Sequence, residues 1–227
     1  MENKTINIKL VAEVANALKE LLPQMVFVGG ATISLYTDDI SADDIRPTGD
    51  IDMAIQLSGF AEWAKIQERL SQLGFNPYPE GHAICSYLYK KISVDIMPAE
   101  DGPIGKSNSW YKPGFDYLKK VTIENEEIKI LSAPYFLATK FEAFRDRGSD
   151  YRTSHDFEDI IYVIDNRTTI VEEILAADDT VKSYLKNELS KIISNQYSEE
   201  IIKAHIHPLI VAERYPQVME KIKNILS

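Results

Sequence analysis

The chain has 227 residues, 44% of them hydrophobic, and a formal net charge of -10. It is long enough for one mixed domain or two small ones, and too acidic for broad, unspecific affinity for nucleic acid, which leaves a basic footprint. The single cysteine, Cys85, excludes an internal disulfide and a cysteine metal site and reads as packing. No run of about eighteen apolar residues and no charged-then-apolar-then-small start is present, so neither a membrane span nor a secretory signal is expected, and the expected location is cytoplasmic.

Ile8, Val11, Ala12, Ala15, Leu18 and Leu22 follow a three-and-four spacing that predicts one amphipathic helix over Ile6 to Leu22, ended by Pro23. Met25 to Val28 reads as a short strand of branched and apolar residues, Gly29-Gly30 as a tight exit, and Ala31 to Tyr36 as the first turns of a helix. The polar stretch from Thr37 to Gly49, with four aspartates and no periodicity, is predicted to be a loop. Ile51 to Leu57 is apolar on both sides of Asp52, as a central strand should be. Asp50 and Asp52, two positions apart, then share one face of it.

A helix is predicted over Gly59 to Leu73, stopped by Gly74, followed by strands over Ala83 to Tyr89 and Ile92 to Met97. The second strand holds Asp95 between Val94 and Ile96, and a lone acid in an apolar strand needs a partner. After a loop around Gly102 to Gly114, Val121 to Ile130 reads as a hairpin. From Pro134 onward the periodicity is helical: Pro134 to Arg147, His155 to Ile164, Ile170 to Ala177, Val181 to Ile193, Glu199 to Val211 and Tyr215 to Leu226. The expected fold class is therefore α+β, with a mixed-sheet part over residues 1–131 and an α-helical bundle over residues 132–227.

Asp50, Asp52 and Asp95 fall on two strands of one sheet, and neighbouring strands run about 5 Å apart, so the three carboxylates can cluster. Such a cluster repels itself unless a divalent cation is present, and Mg²⁺, which takes a few carboxylates together with substrate phosphates, fits it; Mn²⁺ is the alternative. The glycine pair, without side chains at a strand end, lets backbone N–H groups approach an anion. The same residues also admit a purely structural reading, in which Asp50 caps a turn after Gly49 and Asp95 faces solvent on an edge strand.

Strand, Gly29-Gly30, helix, a strand-borne Asp50-x-Asp52 and a further strand-borne Asp95 together resemble the nucleotidyltransferase superfamily with a polymerase-beta-like core. The resemblance covers about the first hundred residues. Ala133 to Arg167 is similar to the later motifs of the AbiEii/AbiGii-type nucleotidyltransferase toxin family of bacteria: Lys140-x-x-Ala143, the arginine-bearing turn at Arg147, and Asp156. Two departures stand out. His155 precedes Asp156 where the family commonly has lysine, and the distance from Gly30 to Asp50 exceeds the family's usual spacing, which implies an enlarged loop.

The resemblance implies transfer of a nucleotidyl group from a nucleoside triphosphate (NTP) to an acceptor hydroxyl, with Asp50, Asp52 and Asp95 as metal ligands. Asp95 is also a candidate proton acceptor. Gly29, Gly30, Thr32, Ser34, Lys140, Arg147 and Asp156 are the expected triphosphate-binding residues, Lys140 counting also as catalytic. The implied acceptor is an RNA such as a tRNA 3′ end, the implied context a toxin with an antitoxin partner. A small hydroxylated molecule is the rival acceptor, and a catalytically silent binding partner that retains the fold is the rival from another class.

On the residues alone, Lys140 also fits a rim lysine beside Phe136, Leu137, Phe141 and Phe144, Arg145 and Arg147 fit solvated helix ends, and Asp156 and Asp159 fit helix-start caps. His205-x-His207 beside Pro208 reads as a solvated pair. Trp63, Trp110, Tyr87 and Tyr89 read as core or surface aromatics. There is no Gly-x-Ser-x-Gly, no Walker lysine after the glycines and no Gly-x-Gly-x-x-Gly, so serine-hydrolase, P-loop and dinucleotide chemistry are not expected.

Overall fold

The computed structural model describes residues 2–81, 85–102, 105–148 and 150–227. Helix α1 (Glu2–Leu18) buries Val11, Val14, Ala15 and Leu18 along one face. It ends four residues before the predicted stop, because Lys19 adopts φ 51° and the chain continues as 3₁₀ turns over Lys19–Gln24 with Pro23 inside them. Strand β1 (Met25–Val28) follows, buried along its whole length. Its exit, Gly30–Tyr36, is a 3₁₀ helix where sequence periodicity predicts α-helical turns.

Strand β2 (Asp50–Ile55), helix α2 (Phe60–Gln72) and strands β3 (Phe75–Pro77), β4 (Ser86–Tyr89) and β5 (Ile92–Pro98) come next. The predicted residues Ala83 and Ile84 of the fourth strand lie outside the described residues. Two short elements escape sequence reading: β3, whose three residues carry a proline, and α3 (Tyr111–Gly114) inside the predicted loop. The hairpin is found as β6 (Leu118–Ile123) and β7 (Glu126–Leu131), turning at Glu124 with φ 51°.

Among the described residues the seven strands make one mixed sheet in the order β3-β4-β5-β2-β1-β7-β6. The pairs β2–β5 and β1–β7 are parallel and the others antiparallel. The most apolar strands, β1, β2 and β5, hold the middle, where both faces are covered and period-2 alternation is lost. This sheet belongs to one unit of the chain, Met1–Leu35 with Asp44–Ser132.

The second unit, Tyr36–Asp43 with Ala133–Ser227, is helical: α4 (Ala133–Arg147), α5 (His155–Asn166), α6 (Ile170–Leu175), α7 (Asp179–Ile193), α8 (Ser198–Lys203) and α9 (Val211–Leu226). The predicted helix over Glu199 to Val211 breaks after Lys203. Pro208 lacks an N–H and disfavours helical geometry at His207, so a turn intervenes. α9 conversely starts four residues before the predicted start at Tyr215, and Pro216 sits inside it, in the second turn.

The loop predicted from Thr37 to Gly49 is divided between the units. Its first part is stapled to the end of α5: the amides of Asp38 and Asp39 both donate to the Asn166 carbonyl at 3.1 Å, Asp39 pairs with Arg214 at 2.6 Å, and the Tyr162 hydroxyl donates to the Asp43 carbonyl at 2.7 Å. Lys221 donates to the carbonyls of Ile164, Asp165 and Arg167 at 2.7–3.1 Å. These bonds satisfy acceptors that a helix C-terminus otherwise leaves open. The loop's second part caps α1, as Asp44 accepts from the amides of Asn3 at 3.0 Å and Lys4 at 3.1 Å.

Candidate active site

The three strand-borne acids meet through the register of β2 and β5, which sets Asp52 directly opposite Asp95 and Asp50 opposite Ser93. One carboxylate oxygen from each of Asp50, Asp52 and Asp95 lies within 4.8 Å of the others. β5 is a central strand and Asp95 is 7% exposed, so the alternative of a solvent-facing acid on an edge strand is overturned. Asp50 and Asp52 are half-buried while Ile51 and Met53 between and beyond them are buried, which gives the cluster one open side.

Neutral hydroxyls meet two of these acids. Ser86, opposite Asp95 on β4, donates to its Oδ1 at 2.5 Å. Thr48, just ahead of β2, donates to Oδ1 of Asp50 at 2.9 Å. Hydroxyl donors orient a carboxylate without cancelling its charge, so the cluster fits a hard divalent cation: three anionic oxygens, one buried wall, one open side. Beside it, burial pushes the Cys85 thiol up, with the Asp95 charge adding to the shift, so Cys85 is a packed thiol and not a nucleophile.

The double glycine is built into the same place. Val28 pairs with Asp52 across β1 and β2. Gly29 follows at φ 72°, and the Asp52 carboxylate occupies the space a Cβ would take there, so a side chain is excluded twice over. Gly30 faces Arg46 instead; a Cβ on it would lie 2.8 Å from the guanidinium Nη2. Thr32 is fully buried and its hydroxyl donates to the Gly29 carbonyl at 2.9 Å, bracing the turn from inside; Ser34 is buried as well. Arg46 escaped sequence reading, since a cation in an aperiodic acidic loop carries no signal.

A second cluster forms within the helical unit. Lys140 and Arg147 lie two turns apart on α4, Asp156 and Asp159 one turn apart on α5, and these faces pack together. Lys140 Nζ is 2.6 Å from Asp159 and 3.4 Å from Asp156, with its side chain 8% exposed, so it is a buried, paired lysine rather than a rim residue. Arg147 reaches Asp156 at 2.5 Å, yet its own side chain is 67% exposed. The cap of α5 is Ser154, whose hydroxyl accepts from the Phe157 amide at 3.3 Å, so neither Asp156 nor Asp159 is a cap.

His205 also departs from its solvated reading. Its Nε2 lies 2.7 Å from the Tyr151 carbonyl, its ring packs edge-on against Phe157, and burial holds its pKa below the ordinary value of 6.5. His207 is exposed. Trp63 and Tyr87 are buried in the core of the sheet unit. No helix among the described residues is long and apolar enough to cross a membrane.

The family described as "Nucleotidyl transferase AbiEii toxin, Type IV TA system" matches residues 14–224. No curated protein matches the sequence. Among solved structures, the chain resembles an antigenic nucleotidyltransferase-like protein from Paracoccidioides brasiliensis. The two share 19% identity with a TM-score of 0.52, over 90% of this chain and 95% of that one, which is a likeness of fold. With the acid cluster and double glycine in one unit and the family matched across both units, the chain belongs to the AbiEii family, the nucleotidyltransferase toxins of type IV toxin–antitoxin systems.

Proposed function

We propose that this protein moves a nucleoside monophosphate from an NTP to the hydroxyl at a tRNA 3′ end, and that an antitoxin protein restrains it. The observation that carries this reading is the set of three carboxylate oxygens within 4.8 Å of one another, set beside a double glycine whose first member cannot carry a side chain. Asp50, Asp52 and Asp95 would hold Mg²⁺ or Mn²⁺, which when bound screens the triphosphate and acidifies the acceptor hydroxyl.

The chain's own residues then have separate tasks. Gly29-Gly30 lets the phosphates lie close to the backbone, and Thr32 braces that turn. Asp95, held by Ser86, accepts the hydroxyl proton as the acceptor oxygen bonds to the α-phosphorus; the bond from that phosphorus to the bridging oxygen breaks and pyrophosphate leaves. Lys140 acts by fixing α4 against α5 through Asp156 and Asp159. Arg147 adds a second cation to that cluster through Asp156.

A small hydroxylated acceptor is the second reading, favoured by the net charge of -10, which opposes a phosphodiester polymer. Incubation with each α-labelled NTP, once with total tRNA and once with hydroxylated small molecules, separates the two. The expected result is label on tRNA with release of pyrophosphate, reduced about a hundredfold or more by Asp50→Ala without loss of fold. Label on small molecules alone would move the acceptor assignment. No label on either would return the chain to a silent binding role.

A further inference from the structure

Two consecutive glycines leave β1, and each faces an opposite charge: Gly29 the Asp52 carboxylate, Gly30 the Arg46 guanidinium. We infer that Arg46 is a substrate-binding residue that takes the outer phosphates of the NTP, a step that rests on the nucleotidyl-transfer reading above. The acid cluster begins at Gly29, and the guanidinium lies one residue further along the same turn. A triphosphate whose α-phosphorus sits at the acids therefore extends its β- and γ-phosphates over Gly30 toward Arg46. A guanidinium offers a planar fork of donors that matches phosphate oxygens and keeps its charge at any working pH.

Arg46 is held for this role. Ile45 beside it is 4% exposed, and Asp44 before it is tied to the start of α1. Asn7, a fully buried carboxamide on α1, clamps the stretch from both sides: its Nδ2 donates to the Arg46 carbonyl at 3.3 Å and its Oδ1 accepts from the Thr48 amide at 3.4 Å. Pro47, between those two bonds, stiffens the backbone. The same stretch ends on the Thr48 hydroxyl that donates to Asp50, so one rigid segment positions a cation for the leaving group and orients a ligand of the acid cluster. A phosphate clamp gains from this bracing because the ordering is done before the ligand arrives.

The test is equilibrium binding of each Mg²⁺-loaded ribonucleoside triphosphate, and of the matching monophosphate, to the full chain and to its Arg46→Gln and Arg46→Lys variants. The expected result is a loss of triphosphate affinity of about tenfold or more in Arg46→Gln, partial recovery in Arg46→Lys, and unchanged monophosphate affinity. Equal losses for both nucleotides, or no loss for either, would overturn the role of Arg46 while leaving the nucleotidyl-transfer reading in place. A wild-type chain that binds no triphosphate would overturn both together. Should the variants fold poorly, wild-type protein treated with an arginine-specific dicarbonyl gives the same answer by peptide mass analysis. Mg²⁺-pyrophosphate should protect Arg46 from modification, and full modification at saturating pyrophosphate would contradict the inference.

Discussion

Two of the gatherings of buried or half-buried carboxylates among the described residues are finished in opposite ways. In the sheet unit, Asp50 and Asp95 are met by the neutral hydroxyls of Thr48 and Ser86. In the helical unit, Asp156 and Asp159 are met by the ammonium of Lys140 and the guanidinium of Arg147. A hydroxyl fixes where a carboxylate points and leaves its charge for something else to match. An internal cation cancels that charge and makes it part of the fold. On the proposed function, similar acids thus serve a site in one unit and an architecture in the other.

The sharpest way to break this comparison is to neutralise one member of each cluster. Lys140→Met strands Asp159 and half of Asp156 in a dry interface and should lower stability by about 3–5 kcal/mol, which thermal unfolding reads directly. Pairing it with Asp159→Asn should recover most of that loss, since the uncompensated charge leaves with its partner. Asp95→Asn should instead change stability by less than about 1 kcal/mol, because an amide carbonyl still accepts from Ser86 and one of three like charges is gone. A larger loss at Asp95 than at Lys140 would reverse the assignment of site and scaffold.

A smaller effect belongs to His205 of the helical unit. Burial lowers its pKa below the ordinary 6.5, so the unfolded chain binds the proton more readily. Its contribution is complete above a pH of about 6.5 and is lost as pH falls through and below that value. Between a pH of about 7.5 and about 5.5 the wild type should lose on the order of 2 °C more in melting temperature than His205→Gln. Parallel curves would show that the ring is not protected from protonation.

Much of this arrangement was legible in the sequence, for identifiable reasons. β1, β2 and β5 stand out because central strands are apolar on both faces, and an acid inside such a strand announces itself against that background. The helices announce themselves by period, except near Pro208, which breaks the helix predicted over Glu199 to Val211. What could not be read depends on partners distant in sequence. The parallel register that sets Asp52 opposite Asp95 is a tertiary fact, as is the pairing that buries Lys140. The loop from Thr37 to Gly49 is aperiodic because its order comes from Asn166, Arg214, Asn7 and the start of α1 rather than from itself. Arg46 is invisible for the same reason.

The central claim, that Asp50, Asp52 and Asp95 hold a divalent cation, is tested most directly by Mn²⁺ binding to the isolated protein, followed by electron paramagnetic resonance. The wild type should bind Mn²⁺ in competition with Mg²⁺, and Asp52→Asn should weaken binding by about tenfold or more with the fold intact. Binding of equal strength in wild type and Asp52→Asn, or none in the wild type, would contradict it.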